Sequence, residues 1–416
     1  MHELTACNAE AWQTEPAASD EPAGPARAEL VLDTPRAAGW GSHDPLDLLR
    51  PECCALPLLG RAEELAVLEA WLDGPSAVSI RRLIGRAGTG KTRLAIELCR
   101  RATAQGWSAG FVTKQTITKV AAEGRYPRTR DAVLVVIDRA EDCDGLLAEY
   151  CVRLGHGRPK GTPLRVLLLD REPGDQAASG ARSDEGLLPN LAEPVRLAGL
   201  RSLADRRALL GRAMALTAHV AGLPPCPPPT SAALDSGEPL HLLLAGLVAP
   251  HQDVVAALAR TPAELAGELA ERALARLETL ASRQGLDPGL MRHLIACITL
   301  QDGCAFHAAP ALVRQETEAM GLHLSEPPEH VADCLADALL EADGATLEPL
   351  GPTPIGEAFL VREMARHAPE RQVAIIDRAV HRAHAATAAK LRRIAELHGG
   401  NDPTHPALAW SRQAGA

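Results

Sequence analysis

The sequence predicts an α/β fold, a parallel sheet with helices on both faces, followed by a helical region. Three observations carry that reading. A glycine-rich turn, Gly85-Arg86-Ala87-Gly88-Thr89-Gly90-Lys91-Thr92, lies between an apolar strand-like run and a helix-like run. An unbroken aliphatic stretch, Val133-Leu134-Val135-Val136-Ile137, ends in Asp138, the pattern of a strand buried on both faces with a carboxylate at its C-terminal end. From Ala77 onward strand-like and helix-like runs alternate, which places successive strands in one parallel sheet with its ligand site at their C-terminal ends.

The 416 residues carry a net charge of -10, with 46% hydrophobic and 23% charged residues. That balance fits a multidomain globular chain and argues against binding nucleic acid through the whole surface. Aromatics are only 2%, so the core must be aliphatic and largely helical. The ten cysteines are scattered without a C-x-x-C pair, and read as reduced, buried small hydrophobes; even Cys53-Cys54 reads as packing. No signal-like segment and no run of eighteen apolar residues occurs, so a cytoplasmic location without a membrane is expected.

In chain order, residues 1 to about 45 lack sustained periodicity and read as a disordered leader with at most a short strand at Glu29-Leu30-Val31-Leu32. Leu65, Leu68, Trp71 and Leu72 then line one helix face. After the glycine-rich turn, Leu94, Ala95, Leu98, Cys99 and Ala102 mark a helix, and Ala109 to Val112 a strand that gives way to a polar stretch as far as Arg130. Following Asp138 come a helix with Leu146, Leu147 and Tyr150, and a strand from Leu164 to Leu169 that ends in Asp170-Arg171. Ser202 with Asp205, and Thr261 with Glu264, read as helix-opening caps. From Pro288 onward three helices are followed by an extended pair, Ala345 to Glu348 and Pro354 to Phe359, an order that resembles a winged helix.

The glycine-rich turn matches G-x-x-x-x-G-K-T, a phosphate loop. Its glycines let backbone N–H groups turn inward around a phosphate, and the helix that starts there adds its positive end. Lys91 would reach the β- and γ-phosphates, Thr92 would hold Mg²⁺, and Asp138 would join it as a Walker B acid. Arg139, the next residue, cannot accept a proton from an attacking water. Glu141 or Asp142 is then the acid expected to position that water, unless they only cap the following helix; hydrolysis is expected to be slow.

Gly60-Arg61 with Glu63, the phosphate loop, Asp138 with Ala140-Glu141, Arg165 to Leu169 with Arg171, and Gly237-x-Pro239-Leu240 stand in a familiar order. Across roughly residues 45 to 365 the chain resembles the bacterial STAND NTPases, relatives of the AAA+ and origin-recognition-type ATPases. The resemblance implies that Gly60 and Arg61 lie near the adenine, that Gly85, Gly88, Thr89, Gly90, Lys91 and Thr92 bind the phosphates, and that Arg171 senses the γ-phosphate. It further implies that Pro239 packs by the base in a helical lid over which a winged-helix-like domain closes. The expected division is a leader at 1–45, an NTPase domain at 46–200, a lid at 201–285, a winged-helix-like domain at 286–365 and a C-terminal helix and tail at 366–416.

Such proteins act as ATP-dependent switches, resting with ADP and opening with ATP to assemble or to engage a protein effector. The expectation is therefore a slow ATPase using ATP/ADP and Mg²⁺, with an effector and a nucleotide-dependent homo-oligomer as partners. The alternative is a nucleic-acid-handling ATPase of origin-recognition type, which would need a basic reading surface. A small-molecule kinase lacks an evident substrate lid, and a GTPase would need an Asn-Lys-x-Asp element that is absent from the sequence. Arg371, Arg378, Arg382, Lys390, Arg392 and Arg393 on the last long helix offer either a basic docking face or a solvated one. His381 and His384 on the same helix read as solvated rather than metal-binding.

Overall fold

The structure, a computed structural model, describes residues 32, 45–123, 131–140, 146–155, 162–171, 190–224, 227–228, 234–339, 345–399 and 405–415. The leader apart from Leu32 and Pro45, together with Glu141 and Asp142, lies outside the described residues.

Five parallel strands form the sheet: β1 (Val78–Gly85), β2 (Ser108–Phe111), β3 (Val133–Asp138), β4 (Leu164–Arg171) and β5 (Val195–Arg196). Their order across the sheet is β2-β3-β4-β1-β5. Strand periodicity sends alternate residues to opposite faces, and both faces are covered. On one, Leu134, Val136, Leu167 and Leu169 pack with α1 (Ala62–Leu72) and α2 (Lys91–Ala104) through Leu65, Leu68, Leu94 and Leu98. On the other, Val133, Val135, Ile137, Val166 and Leu168 pack with α3 (Lys114–Glu123) and α4 (Leu147–Gly155). Helix α3 falls in the stretch read as merely polar. Its apolar face is narrow, and the fully buried Ile117 with the partly buried Val120 suffices to seat it on the sheet.

The remaining chain is helical: α5 (Leu203–Ala221), α6 (Pro239–Val248), α7 (Val254–Leu258), α8 (Pro262–Arg283), α9 (Pro288–Leu300), α10 (Ala309–Met320) and α11 (Pro328–Leu339). It closes with α12 (Thr353–Ala365), α13 (Pro369–Gly399) and α14 (Pro406–Gln413). One continuous aliphatic core joins these helices, from Leu48 and Leu200 at one end to Trp410 and Ala414 at the other. Thr261 and Glu264 form a reciprocal capping box on α8, whereas Ser202 on α5 only accepts from the Asp205 N–H.

Between α9 and α12 the order expected of a winged helix is only partly present. β6 (Cys304–Ala305) pairs antiparallel with β7 (Thr346–Leu347), but Pro354 to Phe359, expected to be extended, is helical and opens α12. The reason is burial with a helical period. Ile355, Ala358 and Phe359 share an inward stripe, and Gly356 is packed so closely under the Leu350 carbonyl that a Cβ there would collide with it. No second strand therefore extends β7 into a wing among the described residues.

The basic face expected on α13 is largely internal. Glu316 of α10 takes hydrogen bonds from Arg378 and Arg382, Lys390 pairs with Asp302 at 2.5 Å, and Arg393 pairs with Glu357 at 3.1 Å. Arg371 and Arg392 alone of the six are exposed. The helix is broken at Ala383 (φ -150°, ψ 64°), between the two pairs of internal cations. His381 is exposed, in keeping with the solvated reading.

Candidate functional site

The glycine-rich turn leaves the C-terminal end of β1 and enters α2, and its geometry follows from its glycines. Gly88 and Gly90 have φ values of 80° and 92°, which side chains resist, and space around Gly90 is open for 4 Å where a Cβ would stand. Gly85 is needed for a different reason: a Cβ would sit 2.6 Å from the Leu197 carbonyl. Lys91 folds over the turn and donates to the carbonyls of Gly85 at 2.7 Å and Arg86 at 3.0 Å. Thr89 lies buried in the loop, with its hydroxyl on the Arg86 carbonyl at 2.9 Å.

The two oxygens expected to share a metal are together. Thr92 Oγ1 lies 2.9 Å from Asp138 Oδ2, because the first turn of α2 and the end of β3 converge at the same edge of the sheet. A hydroxyl and an exposed carboxylate form a hard oxygen pair, the donor type Mg²⁺ prefers. The other Asp138 oxygen accepts the Arg139 N–H at 2.8 Å, and Arg139 adopts a left-handed φ of 54°. Arg171, the last residue of β4, stands in register beside Gly85, the first residue of the turn. Its neighbour Asp170 is buried against Arg82 at 3.1 Å, so the strand end is pinned.

The entry segment is tied to the turn by one side chain. Arg61 is buried; its guanidinium donates to the carbonyls of Thr89 at 3.0 Å and Ala198 at 2.6 Å and pairs with Glu64 at 3.1 Å. Burial holds its pKa below the usual arginine value, with Glu64 acting in the opposite sense. Gly60 (φ 61°) brings the chain close against Leu200 and Asp205, where α5 begins. Pro239 occupies the first turn of α6, and the residue after it reaches the turn directly: the Leu240 N–H donates to the Gly88 carbonyl at 3.2 Å. Arg86 and Glu238 add an ion pair at 3.4 Å.

Sequence reasoning placed Gly60, Arg61, Lys91, Thr92, Asp138, Arg171 and Pro239 on separate segments, and the fold brings those segments around one sheet edge. It missed Leu240, Glu238 and Ala198. Leu240 stands in Gly237-x-Pro239-Leu240, where a leucine gives no chemical signal beyond packing, and Ala198 contributes only a carbonyl.

A second buried polar cluster lies far along the chain, where His293, Cys297 and Glu316 bring metal-type ligand atoms within 4.8 Å. Burial alone would raise the Glu316 carboxyl, yet hydrogen bonds from His293, Arg378 and Arg382 outweigh it and hold the group well below the usual range. Burial pushes the Cys297 thiol well up. A cation would displace guanidiniums and need a thiolate that this site disfavours, so the cluster is an internal staple between α9, α10 and α13.

No protein-family model and no curated protein matches the chain. Among solved structures it is similar to the Aeropyrum pernix ORC1 protein in complex with DNA, at 16% identity and a TM-score of 0.36, over 78% of this chain and 98% of that one. It is also similar to a Walker-type ATPase of Pyrococcus abyssi, at 14% identity and a TM-score of 0.33, over 73% of this chain and 96% of that one. The replication initiator DnaA bound to AMPPCP and single-stranded DNA matches at 13% and 0.30, over 69% and 91%. Each likeness is remote, below the level at which chemistry or partners transfer. No described helix is long and apolar enough to cross a membrane.

Proposed function

We propose that this chain is a STAND-like switch that binds ATP or ADP with Mg²⁺, hydrolyses ATP slowly, and uses the bound state to control assembly with itself or with a protein effector. The observation that carries the reading is the convergence of Lys91, Thr92 and Asp138 at the C-terminal sheet edge, with Thr92 Oγ1 and Asp138 Oδ2 only 2.9 Å apart. The inward-turning N–H groups of the phosphate loop and the start of α2 would hold the phosphates. Bound Mg²⁺ would supply charge neutralisation between phosphate oxygens, with Thr92 and Asp138 as its protein ligands. Arg171, beside Gly85, would report the γ-phosphate, and Gly60, Arg61 and Pro239 would frame the base side. Slow turnover is supported by Arg139: a guanidinium follows the metal-binding acid, so any water-positioning carboxylate must come from farther along.

The rival is an ATPase of origin-recognition type that handles nucleic acid. Against it stands the charge of α11, the helix placed to read a groove in a winged-helix order: Glu329, Asp333 and Asp337 are its charged residues apart from His330. Phosphate-rich duplexes repel such a face. Light-scattering mass measurement of the purified chain without nucleotide, with ADP and with a non-hydrolysable ATP analogue tests the proposal. A mass change with the ATP analogue is expected. A constant mass with nucleotide bound, combined with a shift on added duplex DNA, would select the rival.

A further inference from the structure

Helix α6 begins without a side-chain cap: Glu238 at its N-cap makes no capping hydrogen bond, and Pro239 at the first helical position has no N–H to satisfy. The next donor, the Leu240 N–H, is satisfied from outside the helix by the Gly88 carbonyl at 3.2 Å. The phosphate loop thus caps this helix. Contact is close on the side-chain side as well, since a Cβ on Gly88 would stand 2.6 Å from Leu240 Cβ and 2.9 Å from its Cδ2.

A trans peptide holds its C=O and N–H in opposite directions. With the Gly88 carbonyl turned to α6, the Thr89 N–H of the same peptide is directed into the loop, where it reaches only the Arg86 carbonyl at 3.4 Å, a long bond. An acceptor oxygen there would polarise the peptide and strengthen the bond on its far side, because hydrogen bonds sharing one amide reinforce each other. Arg61 steadies the next peptide through the Thr89 carbonyl, so the Gly88–Thr89 plane is held at both ends.

We infer that the Gly88–Thr89 peptide couples phosphate occupancy of the loop to the seating of α6, with Leu240 as the positioning residue. This rests on the nucleotide-binding reading and adds its means of transmission. Phosphate in the loop tightens the cap on α6. Loss of phosphate loosens it, and the helical half is released at that contact while its own core stays intact. Leu240 contributes twice, by its N–H to the Gly88 carbonyl and by a side chain that fits only against a glycine.

The test is amide hydrogen exchange resolved at Leu240 in the full chain, with and without saturating Mg·ADP, beside calorimetric titration of the same samples. Slower exchange at Leu240 with ADP is expected. Leu240→Ala should weaken ADP binding roughly tenfold, and Leu240→Met, which restores bulk on the same backbone, should recover most of it. Bound ADP with unchanged exchange at Leu240, or equal ADP affinity in Leu240→Ala and the parent, overturns the inference while leaving nucleotide binding intact. Absence of ADP binding by the parent chain ends both.

Discussion

In the proposed reading nucleotide binding turns on Lys91, and its present partners suit it to that role. Its ammonium is satisfied by the carbonyls of Gly85 and Arg86, contacts it can exchange for phosphate oxygens at little cost. Lys91→Ala should therefore abolish measurable ATP binding in calorimetry, whereas Thr92→Ala should keep binding and lose its dependence on Mg²⁺. Arg171 is the residue proposed to separate the two nucleotides: it stands in register with Gly85, the first residue of the phosphate loop, so Arg171→Ala should weaken ATP binding and leave ADP nearly unchanged. Equal losses for both would make it a structural residue. Arg165 shows the opposite case, a cation with a purely architectural task. Fully buried, it donates to the backbone carbonyls of Trp71, Ser76, Gly74 and Leu164, and so clamps the turn between α1 and β1 against β4. Arg165→Met leaves those carbonyls without their donor, at about 1–3 kcal/mol for each one that finds no water. Chemical denaturation should show a loss of roughly 3 kcal/mol, and Arg165→Lys should not rescue it, because a point ammonium cannot match the planar fork.

Among the elements, those written in a single strong period were legible and those built on one contact were not. β3 declares itself by an unbroken aliphatic run and β4 by the four aliphatic residues Val166 to Leu169, and α8 by Thr261-Pro262-Ala263-Glu264, whose reciprocal cap forms as the spacing requires. Helix α3 hid behind threonines and lysines because one fully buried residue, Ile117, anchors it. Pro354 to Phe359 was misread because a proline followed by apolar residues suits either period, and only packing under Leu350 decides for the helix. The candidate site was legible wherever chemistry fixes residue type, as at Lys91, Thr92 and Asp138, and illegible where a backbone atom makes the contact, as at the Ala198 carbonyl and the Leu240 N–H. Charges on α13 misled for the same reason: their partners, Glu316, Asp302 and Glu357, come from other elements. Charge reversal at Arg393 would thus break a buried pair rather than probe a docking face. Glu316 gives this network a pH signature. Its folded pKa lies below the unfolded value of about 4.3, so its contribution is complete above that value and is lost as pH falls. Acid unfolding of Glu316→Gln should show a shallower stability loss than the parent between about pH 5 and pH 2, from a starting stability lower by roughly 3 kcal/mol.

At the scale of the whole molecule the chain is two differently built halves that meet at the phosphate loop. Around the sheet, two aliphatic clusters lie on opposite faces, and neither includes a residue of the long helical core. That core runs continuously from Leu48 and Leu200 to Ala414, so the helical half buries its own apolar surface without help from the sheet. The described links between them near the site include polar ones, the Arg86–Glu238 pair, Arg93 on the Leu56 carbonyl and the Leu240 N–H on the Gly88 carbonyl, beside the close fit of the Leu240 side chain against Gly88. Apolar burial sets cooperativity, and a polar seam contributes little to it. Heating should therefore unfold the molecule in two resolvable steps by scanning calorimetry. Ligand that binds only the folded sheet half raises that half's stability by mass action, about 2.7 kcal/mol at a hundredfold excess over Kd. Mg·ADP should shift one step upward by several degrees, and the Lys91→Ala chain should show the same two steps with no shift. If the phosphate-loop contact with α6 also holds the halves together, saturating Mg·ADP will in addition draw the two steps closer. A single transition that moves as one in every condition would show that the seam is stronger than its polar contacts imply, and that the proposed switch does not act by releasing the helical half at this contact.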